Sequence, residues 1–266
     1  MTRTLMIKTT CALTFLCCLA SLPAGATPSL PASASVPLGV TQVDAAFGNA
    51  ASDADFLFRL GMLEGHLLVG HELMQAHQDA LAVPHFGHPV RELYDDISNY
   101  LKSRNFPAFD GQLAALEAAV AAAPQAPDTE AKYQSALATV RKARDIAPAE
   151  LRASLPEMIR VCSNTIDAAS GEFGESLERG RVAVLVEYHD SRGFLDYVAW
   201  QLAQLKTAHP TPAAQASLDQ LTQVLAKAQW IVGDLMPAPT PRASVGTYRA
   251  IASEATSIAN QITAAK

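Results

Sequence analysis

Residues 52–81 read SDADFLFRLGMLEGHLLVGHELMQAHQDAL, and the spacing of their apolar positions decides the fold class. Phe56, Leu60, Leu63, Leu67, Gly70, Met74, His77 and Leu81 follow one another at steps of four and three. Residues so spaced fall on one face of a helix with 3.6 residues per turn. The stretch predicts a helix over 52–78, capped by Ser52 or Asp53, whose side-chain oxygens accept from the free N–H groups of a first turn. Its buried stripe is of the kind that packs in helix bundles. Gly70 within the stripe predicts close approach by another helix or a bulky side chain. His77 on the same stripe predicts a packing or interface role.

The helical period continues in both directions from this element. A second helix is predicted from Pro89 to Arg104, since proline suits the first helical position, and Phe106-Pro107 ends it. Further helices are predicted over 109–123, from an Asp128 cap to 146, over 149–179 with a kink or restart at Pro156, and over 185–207, 212–235 and 241–264. Strand-like character is confined to Val182–Val186, which opens directly into a helical pattern. The expectation is an all-α protein of about seven or eight helices in antiparallel up-down bundles joined by short connections, with no sheet. Pro148 marks the expected boundary between an N-terminal bundle (51–147) and a C-terminal one (148–266), or the two pack as one domain.

Upstream, MTRTLMIKTTCALTFLCCLASLPAGATP places Arg3 and Lys8 before an uncharged run, Cys11 to Ala20, and a small-residue site at Ala24-Gly25-Ala26. This pattern predicts a secretory signal peptide, residues 1–26, cleaved after Ala26. The run is shorter than the roughly 20 apolar residues of a membrane-spanning helix. Residues 27–50, rich in Pro, Ser, Ala and Gly, read as a flexible leader. The expected location is periplasmic or secreted, with no transmembrane segment in the mature chain. Cleavage takes three of the four cysteines and leaves Cys162, so no internal disulfide can form and helix packing must hold the fold. It also removes two bases and no acids, deepening the net charge of −6. An acidic chain without a basic block argues against nucleic acid and anionic membrane surfaces as partners.

Five of the seven histidines lie between His66 and His88. Imidazole is a common ligand of transition metals, and residues three or four apart on a helix can share an ion. His85 and His88 are three apart, and His88 and Glu92 four apart, at a turn and the start of the helix that follows. A fold-back of that helix would bring His71 to them. The candidate set is His71, His85, His88 and Glu92, with Glu64 and His66 nearby, suited to Fe, Zn or Cu. The HExxH pattern of zinc proteases is absent, because Leu73, Met74 and Gln75 follow His71-Glu72. Cys162 has no histidine near it in sequence, and neither a serine elbow nor a glycine-rich phosphate loop occurs. The chain is expected not to be an enzyme.

A second segment, Glu178 to Trp200, reads ERGRVAVLVEYHDSRGFLDYVAW. Glu187 and Asp190 share a helical face and could hold a cation, with His189 to one side. Within this segment Gly180, Glu187, Tyr188, Asp190, Arg192, Gly193 and Phe194 resemble a pattern of periplasmic helical regions in the high-affinity iron permease family. His189 stands where that pattern has glutamine. The permease's membrane helices and their glutamate motif have no counterpart in this chain. The resemblance implies a soluble relative of the extracytoplasmic portion, binding metal in uptake or homeostasis beside an envelope or metal-transport partner. The contrasting expectation is a structural or protein-interaction module of the cell envelope without metal.

Overall fold

The computed structural model describes residues 50–88 and 93–264. The predicted signal peptide and nearly all of the leader lie outside the described residues, as does Glu92. Ten α-helices occur among the described residues: α1 (Asp53–Gln75), α2 (Asp79–His88), α3 (Tyr94–Ser103), α4 (Asp110–Ala122), α5 (Pro127–Ala143), α6 (Ala149–Arg152), α7 (Leu155–Glu175), α8 (Leu185–Ala208), α9 (Pro212–Val232) and α10 (Val245–Ala264). The protein is all-α, as its spacing predicts, with more and shorter helices in the first half.

Local chemistry accounts for the differences in helix ends. Ser52 caps α1, its hydroxyl accepting from the Asp55 N–H at 3.1 Å. His77 does not join the buried stripe. The Gln78 N–H bonds the Leu73 carbonyl at 2.8 Å and the His77 N–H that of Met74 at 2.9 Å, a Schellman ending that puts His77 in the left-handed position at φ 56°. His77 is therefore exposed. Pro127 takes the first position of α5, so Ala126, not Asp128, holds the cap position. Pro156 restarts the chain as α7, in that helix's first turn. The last helix begins at Val245 rather than Pro241. Its cap is Ser244, whose hydroxyl accepts from the Thr247 N–H at 3.1 Å, and the prolines before it cannot donate to a helix.

The expectation of no sheet is corrected by a small antiparallel hairpin, β1 (Leu177–Glu178) and β2 (Arg181–Val182). Arg179 and Gly180 both have positive φ, 51° and 76°, the backbone that a two-residue hairpin turn needs to match strand twist.

Helices α7, α8, α9 and α10 each pack on the next in sequence, and α10 closes back on α7. The pairings run antiparallel. Ser163 meets Thr256 and Arg160 meets Thr263 across α7 and α10. Lys206 pairs with Asp219 at one end of α8–α9, and Arg192 with the Gly233 carbonyl at the other. Helix α1 packs along α8 and α7, α2 lies on α1 and α4, and α5 adds to α1. Along α1 and α8 the partners are Gly61 with Tyr197 and Gly65 with Gly193, so these two helices are antiparallel as well. At Gly65–Gly193 the backbones touch: a Cβ on Gly193 would stand 2.2 Å from the Gly65 carbonyl oxygen. Gly70 admits the ring of Phe86 from α2, 2.9 Å from where its Cβ would be.

Candidate metal centre

The glycine crossing sets His66, on α1, beside Asp190, on α8. Helix α2 then brings His85 and His88 to the same carboxylate. The sequence places these two at a turn and the start of the helix that follows, with Pro89 as its first residue. The helix instead runs through Pro84, forgoing the bond that a proline cannot make to Ala80. Burial of Ala82, His85, Phe86 and Gly87 accompanies it. At a spacing of three, His85 and His88 face the same way.

Asp190 is 2% exposed. His85 Nδ1 lies 2.7 Å from its Oδ1, His66 Nε2 3.3 Å from Oδ1, and His88 Nδ1 3.4 Å from Oδ2. Burial alone would raise this carboxyl. The charge on His66 and hydrogen bonds from His66, His85 and His88 overcome it and hold Asp190 well below the usual carboxylate range. His66, His88 and Asp190 can each offer one ligand atom within 4.8 Å of the others. Ligands about 2.0–2.1 Å from a tetrahedral ion are about 3.3–3.4 Å apart; His66 stands at that spacing from Oδ1 and His88 from Oδ2, each from a different oxygen of the carboxylate.

The orientation of His66 bears most directly on chemistry. Its Nδ1 is 2.8 Å from the Met62 carbonyl, which only accepts, so Nδ1 carries the hydrogen. Its Nε2 therefore faces a carboxylate oxygen, and either the imidazolium proton or a cation between them makes that contact attractive. A ligand imidazole held through its other nitrogen by a carbonyl is the usual outer arrangement at metal sites.

The other sequence candidates are placed elsewhere. His71 Nε2 is 2.9 Å from Glu130 and its ring stacks on Tyr133 with centroids 3.9 Å apart. Glu64 is fully buried, bound to Arg141 at 2.8 Å, and burial raises its pKa. His189 is fully buried, with Nε2 2.9 Å from the Leu235 carbonyl. The face predicted to hold Glu187 with Asp190 divides: Asp190 goes to the histidines, and Glu187 joins Glu172 and Glu175 in a group of three carboxylates within 4.8 Å. Sequence reasoning put His66 only near the site and left open whether the two segments meet. The signal it passed over is the pair of glycines, Gly65 and Gly193, each close to a ligand.

Burial, the charge of Asp190 and the hydrogen bond that the protonated Glu172 donates to the Glu187 carboxylate push the Glu172 carboxyl up to about 9. A carboxyl raised above its unfolded value, about 4.3, gives its full stability below that value and loses it as pH rises toward the folded one. Glu172→Gln, neutral throughout, should match the parent's melting temperature near pH 4 and exceed it by a few degrees at pH 8–9. Thermal melts across pH check this, and equal melting at pH 9 would contradict it.

The rest of the segment around Asp190 is equally engaged. The Tyr188 hydroxyl donates to the carbonyls of Val232 and Asp234. Ser191 donates to the Ala169 carbonyl at 2.7 Å. Arg192 grips Glu72 with two bonds of 2.7 Å and the Gly233 carbonyl at 2.6 Å. Phe194 packs against the His66 ring, centroids 5.1 Å apart. This segment thus joins three helices of a four-helix ring to α1.

Residues 148–266 match the iron permease-associated 4-helix bundle domain.

No curated protein and no solved structure matches the chain. The match takes in the ring of α7 to α10 and the whole of the segment whose resemblance to iron permeases is read at 180–194. The matched residues supply Asp190 alone to the cluster. His66, His85 and His88 come from helices that precede the matched residues. No helix among the described residues is long and apolar enough to cross a membrane.

Proposed function

We propose that the protein is an exported, non-enzymatic metal binder that serves iron uptake beside a metal-transport partner, holding the ion at His66, His88 and Asp190. His85 orients the Asp190 carboxylate from behind. The observation that carries the reading is that His66, His88 and the buried Asp190 each offer a ligand atom within 4.8 Å of the others, with the other ring nitrogen of His66 already committed to a carbonyl. Two imidazoles and one carboxylate with open positions suit divalent iron or zinc. The link to iron rests on the permease-associated domain, and export on the signal-like N-terminus.

Ligand that binds only the folded state stabilises it by about 2.7 kcal/mol at a free concentration 100 times its Kd. For a chain of this size that raises the melting temperature by about 5–10 °C. Anaerobic Fe(II), or Zn(II), should produce such a rise in the parent and none in His88→Ala. His71→Ala should retain the rise, because His71 rests on Glu130 and Tyr133. A parent protein indifferent to both metals would favour the interaction-module reading instead.

A further inference from the structure

The four-helix ring of α7 to α10 is used on one side by the chain itself, where α1 packs along α8 and α7. The opposite side is made by α9 and α10, which pack on one another and on α7 and α8. Its outer surface carries an open groove of about 620 Å³, lined by Gln223, Ala226 and Lys227 of α9 and by Thr247 and Ile251 of α10. Trp230 lines the same groove and is 60% exposed. The helix does not place it there for the core: Ala228, Ile231 and Val232 turn inward and are buried, and Trp230 faces out. An indole buries about 150–250 Å² when it is covered, and contiguous apolar surface left open on a soluble protein marks a place of contact.

Three observations select a second copy of this chain as the occupant. The projecting ring and a groove open enough to receive one lie side by side on a single face, which is what a two-fold, self-complementary contact requires. The charge permits it. The chain as a whole carries −6, so two copies repel one another over most of their surface. Lys227, the charged residue of the groove, is paired with Glu254 at 2.8 Å, and both are about half exposed. The groove therefore offers no net charge to steer a strongly acidic or basic partner, and none to repel a copy of itself. The size suffices. Helix α9 has 21 residues and α10 has 20, so each is about 30 Å long, and side by side they are about 20 Å wide. A face of about 600 Å² on each copy reaches the lower bound of a standard interface, about 1,200 Å² in all.

We infer that the α9–α10 face joins two copies of this chain about a two-fold axis, each Trp230 seated in the groove of the other. The metal centre lies on the α1 side of the ring, so the dimer stands whether or not that centre holds iron.

Sedimentation of the mature protein between about 1 and 100 µM should show the mass rising to twice that of the monomer, as expected for a micromolar or tighter interface. Trp230→Glu should weaken association about 100-fold or more, since a covered tryptophan is a typical hot spot and each dimer loses two. Its helix content and its melting response to Zn(II) should match the parent's, because the side chain is exposed and far from α1. Ala226→Arg keeps the tryptophan, fills the groove and should act in the same way. A protein that stays monomeric at about 100 µM would overturn the inference, whether the groove is then taken by residues 27–49 or by a metal-transport partner. A dimer that survives both substitutions would overturn it too. A dimer that forms as described while the parent ignores Zn(II) and Fe(II) would count against the metal reading and not against this face.

Discussion

Asp190→Asn should abolish metal retention, with affinity for Fe(II) or Zn(II) falling at least 100-fold. Asparagine keeps the size of the side chain and removes the charge that draws three histidines to one point. Its amide nitrogen donates, so it would face at least one imidazole N–H donor to donor. Losing a ligand exceeds the 10- to 100-fold cost of losing an outer partner at metal sites. Stability should fall as well. Breaking a buried charge pair by removing one partner costs about 3–5 kcal/mol, or roughly 10 °C in melting temperature here. Competition titration and thermal melts read the two effects separately. A variant that binds metal within threefold of the parent would remove Asp190 from the site.

Gly193→Ala should be the more damaging change to the fold. The new methyl would stand 2.2 Å from the Gly65 carbonyl oxygen and 3.0 Å from Val69 Cβ. The first of these atoms is backbone, so no rotamer change relieves the clash, and α1 must move off α8. Overpacking of a core costs about 1–3 kcal/mol where side chains can adjust, and more is expected where they cannot. A fall of about 10 °C or complete loss of folded protein is expected. Surviving protein should bind metal poorly, because the same shift parts His66 from Asp190. Gly111→Ala is the control: nothing lies within 4 Å of that site, and alanine favours a helix by about 0.5–1 kcal/mol. Equal stability of the two variants would mean that the glycine crossing is not tight.

These two residues also mark how far the sequence could be read. The four-and-three spacing from Phe56 to Met74 is enough to give α1, because a helical stripe must face a core whatever its partner. The permease-like segment likewise pointed, from a handful of residues, to the domain model that residues 148–266 match, and Tyr188, Asp190, Arg192 and Gly193 each hold a specific contact. What spacing could not give was the partner of each face. His85 and His88 were legible as a pair, but their common target lies 105 residues away for His85, and no local rule selects it. His77 was misplaced because a helix that continues and one that ends in a left-handed turn share the same apolar pattern up to the last residue. His71 shared the density of its neighbours while facing Glu130 and Tyr133 on another side of α1.

The most direct test is anomalous scattering from crystals of the mature protein grown anaerobically with Fe(II). The account predicts a peak about 2.0–2.2 Å from His66 Nε2, His88 Nδ1 and an Asp190 oxygen, with His85 Nδ1 still on the carboxylate. Iron elsewhere on the chain, or no peak at that point with the ion in excess, would contradict it.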